Sequence, residues 1–149
     1  MLYIQHIIDG SHMFDRCLYF NTNVLARKVD KLWAQAYGEL GLAPAHAYLL
    51  RLVLEKPGLV QKEIAQELSL EKSTITRFID KMVEENYLYR TTTAESLREQ
   101  AIYPTEKAVA LKSKLNDIGN QLYKKMQALL DEDELKLMVS KIKTAGQKL

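Results

Sequence analysis

Residues 60–90 read VQKEIAQELSLEKSTITRFIDKMVEENYLYR, and the periodicity of this stretch decides the fold. Ile64, Ala65 and Leu68 share one face of a first short helix while Gln61, Lys62, Gln66 and Glu67 share the other, the pattern of a helix half buried against a core. Ser69-Leu70-Glu71 then turns the chain too tightly for the flanking helices to pack apart. In the second helix Ile75, Phe78, Ile79, Met82 and Val83 recur at helical spacing, and Lys72, Ser73, Thr74, Thr76 and Arg77 crowd the outward side of its first two turns. An ordinary solvated face favours Glu and Lys, strong helix formers. A Ser-Thr-x-Thr cluster lowers helix propensity and calls for a reason.

A helix-turn-helix that reads duplex DNA supplies one. The second helix enters the major groove near its start, where short hydroxyl side chains let the backbone approach and donate to phosphates or base edges. Arg77 is long enough to make a paired hydrogen bond to guanine. Tyr87–Arg90 then reads as a strand and Gln100–Tyr103 as its return, with a polar loop between, so a β-hairpin wing follows directly.

On these residues the chain resembles the MarR family of winged helix-turn-helix transcriptional regulators. The likeness rests on Gln61-Lys62-Glu63-Ile64-Ala65, on Ser73-Thr74-Ile75-Thr76-Arg77, on Leu88-x-Arg90, and on Thr105-Glu106-Lys107 after the wing. The resemblance implies a homodimer with intertwined terminal helices and a DNA-facing set of Gln61, Lys72, Ser73, Thr74, Thr76, Arg77, Arg90 and, in the wing, Arg98. The chain departs from the family pattern where Ser96 replaces an Asp that would orient Arg98, Pro104 a Leu, and Ala108 a Gly.

The 149 residues, 47% hydrophobic and 27% charged, suit one globular unit. The single cysteine excludes an internal disulfide framework and leads us to expect a reducing, cytoplasmic setting; no apolar run reaches membrane-spanning length. A net charge of +2 is small for a nucleic-acid binder, and residues 61–90 carry five basic against six acidic side chains. Positive charge must therefore be local, near Lys72 and Arg77 at the start of the helix, with Glu84 and Glu85 at its far end.

In chain order, Gly10-Ser11-His12-Met13 resembles the remnant of a cleaved expression tag, so residues 1–12 are set aside and Met13 is the expected native start. From Phe14 to Tyr37, Leu18, Val24, Leu25, Val29, Leu32, Trp33 and Ala36 trace a long helix. Pro44 opens the next, with Ala47, Leu49, Leu50, Val53 and Leu54 on its core side, up to the turn at Lys56-Pro57-Gly58. Leu59-Val60 is expected to lie beside the wing as a short strand. Pro104-Thr105-Glu106 is expected to start a helix whose seam, Leu111, Leu115, Ile118, Leu122, Met126 and Leu129, is heptad-like and roughly 40 Å long. Asp131 with Glu134 has capping-box spacing for a last helix. These helices exceed what one small core can bury, and a second copy is the economical partner.

The fold expected is mainly α with a small β wing: a winged helix-turn-helix over 44–103, and dimerisation helices over 13–43 and 104–149. The function expected is sequence-specific DNA binding at a pseudo-palindromic operator by a transcriptional regulator, a repressor released by a small molecule or an oxidant. The alternative is a winged-helix module that binds protein without specific DNA binding. No phosphate loop, nucleophile or carboxylate pair suggests an enzyme, and no cofactor is expected. His6, His12 and His46 are the only histidines, and no second histidine or cysteine stands at metal-binding spacing from His46. Tyr19, Trp33, Tyr37 and Tyr48 could line an effector pocket or be plain core. Cys17 resembles the sensing thiol of the oxidative-stress branch of the family, or is a small buried hydrophobe.

Overall fold

The chain is organised on one short apolar helix that the other elements surround. The computed structural model describes residues 13–92 and 99–149, so the expectations for residues 1–12, Ser96 and Arg98 lie outside the described residues. The helices are α1 (Leu18–Gly38), α2 (Pro44–Glu55), α3 (Gln61–Leu68), α4 (Lys72–Glu84), α5 (Glu106–Leu130) and α6 (Glu132–Lys148); the strands are β1 (Leu88–Thr92) and β2 (Gln100–Pro104). Pro44 occupies the first turn of α2, where its missing N–H costs nothing. Ala47, Leu49, Leu50 and Val53 behind it are fully buried. The helix packs against α1, α3, α4, α5 and β2.

Ser69, with φ 52° and ψ 44°, closes α3 in the left-handed region, and the Leu70 N–H donates to the Ala65 carbonyl across the turn. Ile64, Ile75, Ile79 and Met82 are fully buried, which locks α3 and α4 onto α2. The wing pairs antiparallel, Leu88 opposite Pro104 and Arg90 opposite Ile102. Val60 adds a single bridge to Ala101 rather than a full strand. The approach is tight because Gly58, at φ 92°, donates to the Ile102 carbonyl at 2.9 Å, and a side chain there would meet the Tyr103 hydroxyl at 3.0 Å.

Three local expectations are corrected. The first helix begins at Leu18 rather than Phe14, because the Cys17 sulfur takes the N-cap position and accepts the Phe20 N–H at 3.5 Å. Pro104 ends β2 and leaves the cap of α5 to Thr105, whose hydroxyl accepts from the Ala108 N–H. Asp131 stands at the N-cap of α6 but makes no side-chain cap bond; its backbone, at φ 66° and ψ 150°, departs from the extended conformation in which a cap side chain reaches the first turn. Ala108, in place of the family's glycine, is fully buried.

Candidate nucleic-acid interface

The solvent side of α4 follows from its buried side. With Ile75, Ile79 and Met82 held in the core, Lys72, Ser73 and Arg77 point outward and are exposed, and Thr74 is half-buried. Among the described residues no carboxylate pairs with Lys72 or Arg77. The acidic surplus of residues 61–90 is largely quenched by pairing: Glu67 with Lys56, Asp80 with Arg90, and Glu85 with Lys81. Among the described residues, those of this stretch without an ion-pair partner are Lys62, Lys72 and Arg77 against Glu63, Glu71 and Glu84, with Lys72 and Arg77 at the front of α4.

Not all of the expected DNA-facing residues are free to reach outward. The Gln61 amide donates to the Thr76 hydroxyl, and that hydroxyl donates to the Lys72 carbonyl at 2.9 Å. Gln61 and Thr76 therefore tie α3 to α4 and set the angle at which α4 is presented. Arg90 binds Asp80 of α4 and its side chain is only 22% exposed, so it fastens the wing to the helix. The far end of α4 is fastened as well. Lys107 donates to the Glu85 carbonyl at 2.9 Å with its ammonium 4.1 Å from the centre of the Tyr87 ring, and the Thr105 hydroxyl donates to the Asn86 carbonyl at 2.8 Å. Lysine and threonine at the start of α5 thus cap the carbonyls at the end of α4.

A second concavity of about 540 Å³ lies where α1, α2, α5 and α6 meet, lined by Trp33, Tyr48, Arg51, Tyr123 and a mainly apolar wall that includes Met126 and Ile142. Of the expected pocket residues, Trp33 and Tyr48 line it and are joined by a 3.0 Å bond from the indole nitrogen to the phenol oxygen. Tyr37 stands behind the wall, fully buried, with its ring centre 6.1 Å from that of Tyr48; burial pushes its hydroxyl pKa up. Tyr19 lies in the first turn of α1, 79% exposed and roughly 20 Å along the helix from Trp33. It does not reach the cavity.

Sequence reasoning missed Arg51. Its guanidinium donates to the Tyr37 hydroxyl at 3.2 Å, lies 5.4 Å from the centre of the Tyr48 ring, and sits against Gly119 of α5, where a Cβ would meet it at 2.7 Å. Two signals were available: an arginine on the same helical face as Ala47 and Leu54, and a glycine inside the seam of α5. Among the described residues no carboxylate pairs with Arg51.

Fold and surface together define a winged helix-turn-helix carried on long terminal helices. Residues 42–99 match the model of the MarR family. Over 84 residues it is 23% identical to the uncharacterized HTH-type transcriptional regulator YybA of Bacillus subtilis; the match spans 56% of this chain and 56% of that relative's length. The fold is shared with the S. aureus MepR–DNA complex (TM-score 0.82, 16% identity, covering 91% of this chain and 100% of that one). It is shared also with a putative MarR family regulator from Listeria monocytogenes complexed with 26mer DNA (TM-score 0.77, 18% identity, 89% of each chain). No helix among the described residues is long and apolar enough to cross a membrane.

Proposed function

We propose that this protein is a homodimeric, sequence-specific transcriptional repressor whose hold on duplex DNA is released by a small anionic molecule. The observation that carries the reading is the front of α4, where exposed Lys72, Ser73 and Arg77 stand free of carboxylate partners beside a wing fastened to the same helix. Lys72 and Ser73 suit phosphate contacts that set register, and Arg77 suits a base edge. The match of residues 42–99 to the MarR family model and the DNA-bound structures of similar fold support the same reading. The test is a duplex selected from a random library: affinity should fall steeply and linearly on a log scale with added salt, as phosphate neutralisation requires. A salt-independent affinity, or no selected sequence, favours the other reading, a protein-binding winged helix, which the acidic balance of residues 61–90 also suits.

The dimer is supported by the apolar side chains that one chain leaves in water. Along the whole of α6 only Leu135 is buried, whereas Leu137 and Ile142 are 59% and 58% exposed and Leu129 of α5 is 68% exposed. A second copy laid on these helices would cover them and close the mouth of the cavity.

The cavity supports release by a ligand. Arg51 is a permanent cation among aromatic rings with no carboxylate partner among the described residues, so the complementary ligand carries a carboxylate or similar anion on a flat apolar body. Because α2 bears both Arg51 and the face that holds α4, occupancy of the cavity bears directly on the presentation of Arg77. Oxidant release through Cys17 has less behind it. Its sulfur is engaged as a helix cap, and the Tyr37 hydroxyl lies about 30 Å further along α1 in the same chain, out of its reach.

A further inference from the structure

Phe78 is the one large side chain of α4 that is neither buried in the core nor turned fully to solvent, and two other side chains meet on its ring. The imidazole of His46, in the first turn of α2, stands perpendicular to it, 86° between planes and 5.0 Å between centres. The guanidinium of Arg77 lies over the same ring, 5.6 Å from its centre. We propose that His46 and Phe78 are positioning residues for Arg77: by holding the Phe78 ring, α2 sets the direction in which the base-reading arginine leaves α4. This inference rests on the DNA-reading function proposed above, and it adds a contact that no base or phosphate makes.

The arrangement works only with a neutral imidazole. A flexible arginine resting on an aromatic face is attracted by the ring's quadrupole, and an uncharged ring at right angles supports the stack without competing for it. A protonated His46 would place a second cation on the same ring. Its surroundings oppose that charge: burial lowers the His46 pKa first, the Lys81 ammonium of α4 lowers it further, and the Glu85 carboxylate raises it in part. The His46 position near Pro44, at the positive end of the α2 dipole, also disfavours the charged form. With the folded pKa below the usual 6.5, the neutral form is the one bound at neutral pH, and the support it gives is lost as pH falls through the folded value.

The consequence runs against the ordinary effect of acid on a DNA-binding protein, which is to add positive charge and strengthen binding to any duplex. As pH falls from about 8 through the folded His46 pKa, the ratio of affinities for a selected duplex and a scrambled one should fall about threefold in the wild type, the size of one exposed cation–π contact. His46→Gln and Phe78→Leu should each flatten that pH profile, and Phe78→Tyr, which keeps the ring, should restore it. In parallel, without DNA, the Arg77 Nε–Hε resonance followed by NMR should titrate together with the His46 ring in the wild type and stay still in Phe78→Leu, with thermal melting showing each variant folded. An Arg77 resonance that ignores pH in the wild type, or that titrates equally in His46→Gln, overturns the proposal. If Arg77 follows His46 but selection recovers no duplex, the positioning stands and the DNA-reading function fails.

Discussion

Arginine at three positions of this chain does three different things, and what surrounds each guanidinium decides which. Arg77 is exposed and unpaired by carboxylate, Arg90 is bound to Asp80, and Arg51 is enclosed by aromatic rings beside Gly119. Arg77→Ala should therefore weaken binding to the selected duplex by about 1–3 kcal/mol and relax preference at one position of each half-site. Arg90→Ala should lower thermal stability by about 1 kcal/mol or less, since Asp80 is well exposed, and weaken all duplexes alike by loosening the wing. Competition binding against single-base variants of the selected duplex separates the two; a base-specific loss in Arg90→Ala would mean that it reads sequence after all. At Arg51 the neighbour is the sharper probe. Gly119→Ala adds about 1 kcal/mol of helix propensity but drives a Cβ into the guanidinium, which must swing away. The variant should melt no lower than wild type yet lose the response to an aromatic carboxylate, as Arg51→Gln should. Retention of that response by both variants would remove Arg51 from the ligand site.

At the scale of elements, the joints carry more information than the helices. The α3–α4 angle is held by Gln61 and Thr76, the wing by Arg90 and Asp80, and the end of α4 by Thr105 and Lys107, so polar contacts fasten α4 to α3, to the wing and to the start of α5 over a shared apolar core. The α5–α6 joint differs. Asp131 adopts φ 66° and ψ 150°, a region that is essentially glycine's, without a cap bond in return. Strain of this kind is worth about 1–3 kcal/mol, partly offset by the extra chain entropy of glycine. Asp131→Gly should raise the melting temperature or leave it unchanged, whereas Asp131→Ala keeps the strain and should not raise it. A lower melting temperature for Asp131→Gly than for Asp131→Ala would show that the carboxylate itself holds the joint.

For the whole molecule, the decisive quantity is apolar surface that one chain cannot cover. Leu129, Leu137 and Ile142 remain more than half exposed, and burying such a side chain fully is worth about 1.5–3 kcal/mol. The melting temperature should accordingly rise with protein concentration, as mass action requires of an obligate assembly. Ile142→Glu should yield monomers in sedimentation equilibrium and abolish high-affinity binding to a two-half-site duplex. A wild type that sediments as a monomer at micromolar concentration would refute the dimer.

Much of this was legible in the sequence because it is local. Apolar spacing located the helices, Pro44 and the Lys56-Pro57-Gly58 turn bounded α2, and the hydroxyl-rich start of α4 stood out against its own propensity. The mainly α fold with its two-stranded wing followed from those periods and from the family resemblance they carried. Tertiary structure alone decided which polar side chains are spent inside the molecule. Gln61 and Thr76 bind each other fifteen positions apart, Arg90 reaches back to Asp80, and Lys107 reaches back to Glu85. A charged or hydroxyl side chain reads the same in sequence whether it faces a phosphate or a neighbouring helix. Only the fold determines which partner lies within the few ångströms over which a hydrogen bond acts.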